Sequence, residues 1–140
     1  MEYKKFGNKF IVRMDKGEEI VETLKEFCKK NEIKLGSIQG LGAVNKATIG
    51  LFETATKEYH STELTGDHEI TSLLGNISTM DGEVYLHLHI NLADHEYKTY
   101  GGHLNSAVIG ATGEFIIDVI EGTVDRAFNQ EIGLNLYKFD

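Results

Sequence analysis

Apolar and polar residues alternate along most of this 140-residue chain, and one stretch breaks that rhythm with a helical repeat. Ile20, Val21, Leu24, Phe27 and Cys28 fall on one face at helical spacing, and Lys29 and Lys30 follow where cations favour a helix C-terminus. Asp15 with Glu18 three residues on has the spacing of a capping box, so the expected helix starts near Asp15 and runs to about Asn31. The remaining apolar runs predict strands over residues 6–13, 35–40, 46–52, 59–64 and 69–78. Others follow over 84–92, 103–109, 114–124 and 134–139. Asp81-Gly82 between two of these runs marks a hairpin turn, since both residues tolerate positive φ. Many short strands with tight connections and one helix predict an α+β fold, mainly an antiparallel sheet with one principal covering helix.

No proline, linker or low-complexity tract interrupts the chain, so residues 1–140 are expected to form a single domain. Apolar residues make up 41% of it, enough for a packed core and against disorder. The N-terminus lacks the apolar core of a signal peptide, no apolar run reaches membrane-spanning length, and the lone Cys28 has no disulfide partner. A cytoplasmic protein with no membrane association is the expectation. The formal net charge of −8 disfavours the positive footprint that direct nucleic-acid binding requires.

The candidate chemistry lies in His87-Leu88-His89. On a strand, residues two apart share a face, so both imidazoles project together while Leu86, Leu88 and Ile90 point away. Val84 is placed on the histidine side. His103 follows Gly101-Gly102, where a tight backbone turn would bring it against the pair. Three histidines suit a divalent metal such as zinc and leave one position open for water, a small molecule or a partner protein. The alternative is that these are ordinary polar residues on a half-buried face, because short motifs recur by chance. His60, His68 and His95 lack comparable partners and read as surface or loop residues. Asp94 and Glu96 could support the metal ligands, but plain exposure accounts for them. Gly40-Leu41-Gly42-Ala43-Val44 resembles a phosphate-binding loop yet lacks its third glycine and helix, so a closely packed turn between strands is the better account. Cys28 reads as an inert core thiol. Arg126 reads as one half of a surface ion pair, with an anionic ligand as the alternative.

Several motifs occur in a familiar order. They are GLGAV at 40–44, IGLF at 49–52, ELTGDHEI at 63–70, LLGNI at 73–77, HLH at 87–89, GGHL at 101–104 and GLNL at 133–136. Together they resemble the plant and prokaryote conserved (PPC) domain, long catalogued as a domain of unknown function. The resemblance implies an α+β fold, a homotrimer and, in prokaryotic members, a divalent metal at the positions of His87, His89 and His103. Such proteins are commonly labelled predicted DNA-binding proteins, after plant relatives that carry a separate AT-hook ahead of the domain. These 140 residues contain no AT-hook, and Asp67 and His68 stand where plant members carry Arg and Phe in the motif that contacts partner proteins. Three function classes follow: a metal-binding trimeric module, a DNA-binding regulator, or a metal-dependent enzyme. The last rests on similarity of the histidine trio to the zinc ligands of acetolactate decarboxylase, where the metal polarises a carbonyl during loss of carbon dioxide.

Overall fold

The computed structural model describes residues 1–139. Strands β1 (Glu2–Phe6), β2 (Lys9–Asp15), β3 (Gly36–Glu53), β4 (Glu58–Met80), β5 (Glu83–Ala93), β6 (Thr99–Val119), β7 (Asp125–Asn129) and β8 (Leu134–Lys138) join in one sheet, and α1 (Ile20–Lys30) follows β2. The fold is therefore mostly β, with a single short helix among the described residues. No helix is long and apolar enough to cross a membrane.

The main path through the sheet runs β1-β2-β6-β3-β4-β7-β8, and β5 pairs with both β4 and β6. Strands β3, β4, β5 and β6 thus form a closed ring of antiparallel pairs. Closure requires the long strands to curve, and they do so at register shifts. β3 shifts against β4 between Gly40 and Gly42 and again between Val44 and Lys46. Alternation then resumes on the other parity, so Ile38 and Val44 are buried before the second shift and Ala47 and Ile49 after it. The core is completed by Phe10, Val12 and Met14 of β2, Leu88, Ile90 and Leu92 of β5, and Leu104, Ala107, Ile109, Phe115 and Ile117 of β6.

The helix buries Ile20, Leu24, Phe27 and Cys28, and it lies against β5 and β6. Its N-cap is Glu19, not Asp15: one Glu19 carboxylate oxygen accepts the Glu22 N–H at 2.7 Å, and the other accepts the Ala107 N–H of β6 at 2.8 Å. The Asp15–Glu18 contact does form, with the Asp15 N–H donating to the Glu18 carboxylate at 2.6 Å. It closes a turn at the end of β2 instead of a helix. Glu19 bridges to Val108 and the Gly17 N–H donates to the Ile109 carbonyl, so residues 17–19 are tied to β6 by backbone pairing before the helix can begin. Burial pushes the Cys28 thiol up to about 12, consistent with an inert core group.

Other strand ends also move. Residues 6–13 are not one strand: Gly7, at φ +58°, turns β1 back onto β2. The paired segments 35–40 with 46–52, 59–64 with 69–78, and 103–109 with 114–124 each fuse into one long bulged strand, and the last ends at Val119. The Asp81-Gly82 hairpin is present, with both residues at positive φ. Gly40–Val44 is not a turn but lies inside β3. Gly42 has φ +142°, and a Cβ there would sit 2.1 Å from the Thr112 carbonyl oxygen.

Gly42→Ala therefore combines a backbone conformation foreign to L-residues with a clash against backbone, and should destabilise by roughly 2 kcal/mol or more. Gly7→Ala meets open space and should cost only the left-handed backbone penalty of about 1 kcal/mol. Urea unfolding of both variants checks this; equal losses would show that the β3–β6 approach is not rigid.

Candidate metal centre

Strand β5 carries the first two histidines by simple alternation. Leu88, Ile90 and Leu92 are buried in the core, with Val84 and Leu86 packed against it. Tyr85, His87, His89 and Asn91 are thereby turned to the opposite face, and Val84 lies on the core side instead of the histidine side. The third histidine arrives through pairing: His89 is the register partner of His103 across β5 and β6. Gly101 and Gly102 do not make a turn. They are strand residues opposite Asn91 and Ile90, and their bareness serves approach instead. A Cβ on Gly102 would lie 2.7 Å from the Gly50 carbonyl oxygen of β3.

The three imidazoles face one another. Their ring centroids are 5.0 Å apart for His87–His89, 5.3 Å for His87–His103 and 5.8 Å for His89–His103. The Nε2 atoms of His87 and His89 are 3.2 Å apart, and one nitrogen from each of the three rings lies within 4.8 Å of the others. No carboxylate or thiol joins the group among the described residues. His87 and His103 are half-buried and His89 is exposed. Burial first, then the neighbouring His89, His103 and Arg126, pushes His87 down to about 4, and burial with His89 lowers His103. Both rings therefore hold the neutral form, the one that can bind a cation, to lower pH than an ordinary imidazole does. The donor set fits a divalent metal: imidazole nitrogens converging from two paired strands.

The other sequence candidates stay apart from this group. His60 contacts Glu53 at 3.0 Å, and His68 contacts the Gly66 carbonyl at 2.8 Å. His95 is exposed. Asp94 closes its own loop by accepting the Glu96 and Lys98 N–H groups, and Glu96 pairs with Lys98. Sequence reasoning missed several neighbours. The Tyr59 hydroxyl donates to the Asn105 side chain at 2.5 Å, and the Tyr59 ring stands edge-on to His103 at 6.3 Å. Asn105 could have been found, being two residues from His103 on the same strand face. Tyr59 is brought by strand pairing, which no local signal reports. Arg126 is buried, and no ion pair to it occurs among the described residues.

Comparison with known proteins agrees with this picture at the level of fold. Residues 1–121 match the plants and prokaryotes conserved domain. A candidate DNA-binding protein from Bacteroides thetaiotaomicron is 42% identical, with a TM-score of 0.96 covering 99% of this chain and 96% of that one. A metal-containing protein from Archaeoglobus fulgidus is 34% identical, with a TM-score of 0.88 covering 99% of each chain. Acetolactate decarboxylase from Bacillus subtilis subspecies spizizenii shares the fold alone, at 17% identity and a TM-score of 0.59 over 83% of this chain and 54% of that one. The bifunctional protein GlmU from a Synechococcus strain is 29% identical over 108 residues; they are 76% of this chain but only 16% of that protein's length.

Because folding holds His87 and His103 below the ordinary imidazole value of 6.5, their contribution to stability is full above that pH. For His87 it is lost as pH falls through 6.5 toward 4, where protons bind the unfolded chain first, and for His103 it is lost below 6.5 in the same sense. For His87, half open to solvent, the effect should be on the order of 1 kcal/mol. Comparing metal-free wild type with His87→Gln by urea unfolding isolates it. The variant should lose less stability across that interval, and parallel losses would contradict the assignment.

Proposed function

The chain belongs to the plants and prokaryotes conserved domain family, and we propose that it is a homotrimeric protein binding one divalent metal, zinc or similar, per chain through His87, His89 and His103. The observation that carries this reading is the convergence of three imidazole nitrogens within 4.8 Å of one another. Zinc held there would supply a Lewis acid with one position open to a small molecule or partner. The metal-containing relative from Archaeoglobus fulgidus adds weight.

Assembly is supported by the outward face of the sheet. A cross-strand row runs Ile11, Ile116, Gln39, Leu74, His89, each paired with the next. Residues directly opposite in antiparallel pairs share a face, and Ile11, Ile116 and Leu74 are 44%, 37% and 61% exposed. An apolar row of this kind, ending at the exposed histidine, suits burial against a second copy under cyclic symmetry.

A second reading, DNA binding, is favoured by the name given to the 42% identical relative. The net charge of −8 opposes it. Sequence-preferring binding at micromolar or tighter concentration, in a mobility-shift titration at physiological salt, would move it to first place. For an enzymatic reading, the ligand group itself supplies no acid, since among the described residues the cluster contains histidines alone.

Protein purified without a nickel column should retain about one zinc-like ion per chain. The His87→Ala, His89→Ala double variant should retain none, and His103→Ala should bind weakly. Stoichiometric metal in the double variant would remove these residues from the site. Light scattering on the same samples should give a trimer mass that survives dilution, and a monomer mass throughout would end the assembly proposal. Dissociation on adding a chelator would place the metal near the subunit boundary.

A further inference from the structure

Arg126 is only 8% exposed, yet no carboxylate pairs with it among the described residues. Its guanidinium instead donates to three neutral oxygens: Ser78 Oγ at 2.8 Å, the Asn135 carbonyl at 2.9 Å and Asn76 Oδ1 at 2.8 Å. Tyr85 and Tyr137 cover it at 4.7 and 4.3 Å from their ring centroids. A guanidinium carries five N–H groups, so two remain without a partner in the described structure. Burying a cation with no counter-charge is costly, and the chain has 22 acidic side chains from which one could have been placed there.

Strand pairing puts this charge beside the histidines. Asn76, which Arg126 bonds, is the register partner of His87, and Ser78 is the partner of Tyr85. Tyr85 and His87 share the outer face of β5. All three candidate ligands would bind as uncharged imidazoles, so a divalent cation among them would keep its full charge, with Arg126 adding another. The site would be strongly positive within an acidic protein.

We propose that this charge is answered by the ligand: the site takes a small organic carboxylate, recognised jointly by the metal and by Arg126. This rests on the metal reading above. A carboxylate matches the planar fork of a guanidinium, and neutral hydrogen bonds together with two tyrosine rings hold the fork in place without neutralising it.

The test is calorimetric titration with oxalate as the carboxylate probe. Zinc alone is titrated first into metal-free wild type and Arg126→Gln. Uptake by both with similar affinity is expected, and no uptake by wild type would bring down the metal reading and this proposal with it. Oxalate should then bind zinc-loaded wild type, and bind zinc-loaded Arg126→Gln roughly tenfold or more weakly, the scale of a lost charge-assisted contact. Equal oxalate affinities, or no oxalate binding to zinc-loaded wild type, would overturn the proposal while leaving the metal reading intact. Inorganic phosphate bound in preference to oxalate, with the same dependence on Arg126, would overturn the carboxylate assignment. Should Arg126→Gln fail to fold, the Arg126 Nε–H resonance of the zinc-loaded wild type decides: it should shift on adding oxalate, and an unmoved signal refutes the proposal.

Discussion

Strand β6 serves three partners at once, and the rest of the molecule depends on that. Its second half pairs with β2 and with the start of β3, while its first half pairs with β5 and with the end of β3. One strand can do this only by curving, and the curvature is taken up at register shifts where glycine allows backbones to approach more closely than a side chain permits. The helix is tied to the same strand through Glu19, whose carboxylate both caps α1 and accepts the Ala107 N–H. Ring closure, helix placement and the position of His103 are consequences of one set of backbone pairings.

The histidine group inherits its order from this arrangement. His87 and His89 stand on a strand whose opposite face is locked into the core by Leu88, Ile90 and Leu92. A one-residue slip of β5 would exchange the two faces, burying imidazoles and exposing leucines. The apolar packing that stabilises the fold therefore also aims the histidines outward. Because burial disfavours the charged form, it also holds His87 and His103 neutral, the state in which their nitrogens can coordinate.

Charge is distributed unevenly between surface and site. The chain carries a net −8, but the group that faces His87 from the side of β7 is a buried guanidinium bonded to neutral oxygens. That contrast separates the candidate centre from the outer surface electrostatically. It also explains why whole-chain charge speaks to nucleic-acid contacts and says little about what a small ligand meets at the histidines.

The sequence by itself determined what depends on near neighbours. The amphipathic face of α1, the Asp81-Gly82 turn, the alternation that turns His87 and His89 to one side and the core role of Cys28 were all legible, because each is set by periodicity or by a residue's own conformational range. The resemblance carried by the ordered motifs identified the family and pointed to His103 as the third member of the group. Only the tertiary structure decided what depends on pairing between distant segments. Alternation changes parity at bulges such as Val44–Lys46, so single long strands read as pairs of short ones. The cap moved from Asp15 to Glu19 because backbone hydrogen bonds tie residues 17–19 to β6. His103 meets its partners through the β5–β6 register, not through a glycine turn. Arg126, read from sequence as a surface residue, became a buried charge beside His87 because β7 pairs with β4 and β8 with β7, pairings that no spacing along the chain encodes.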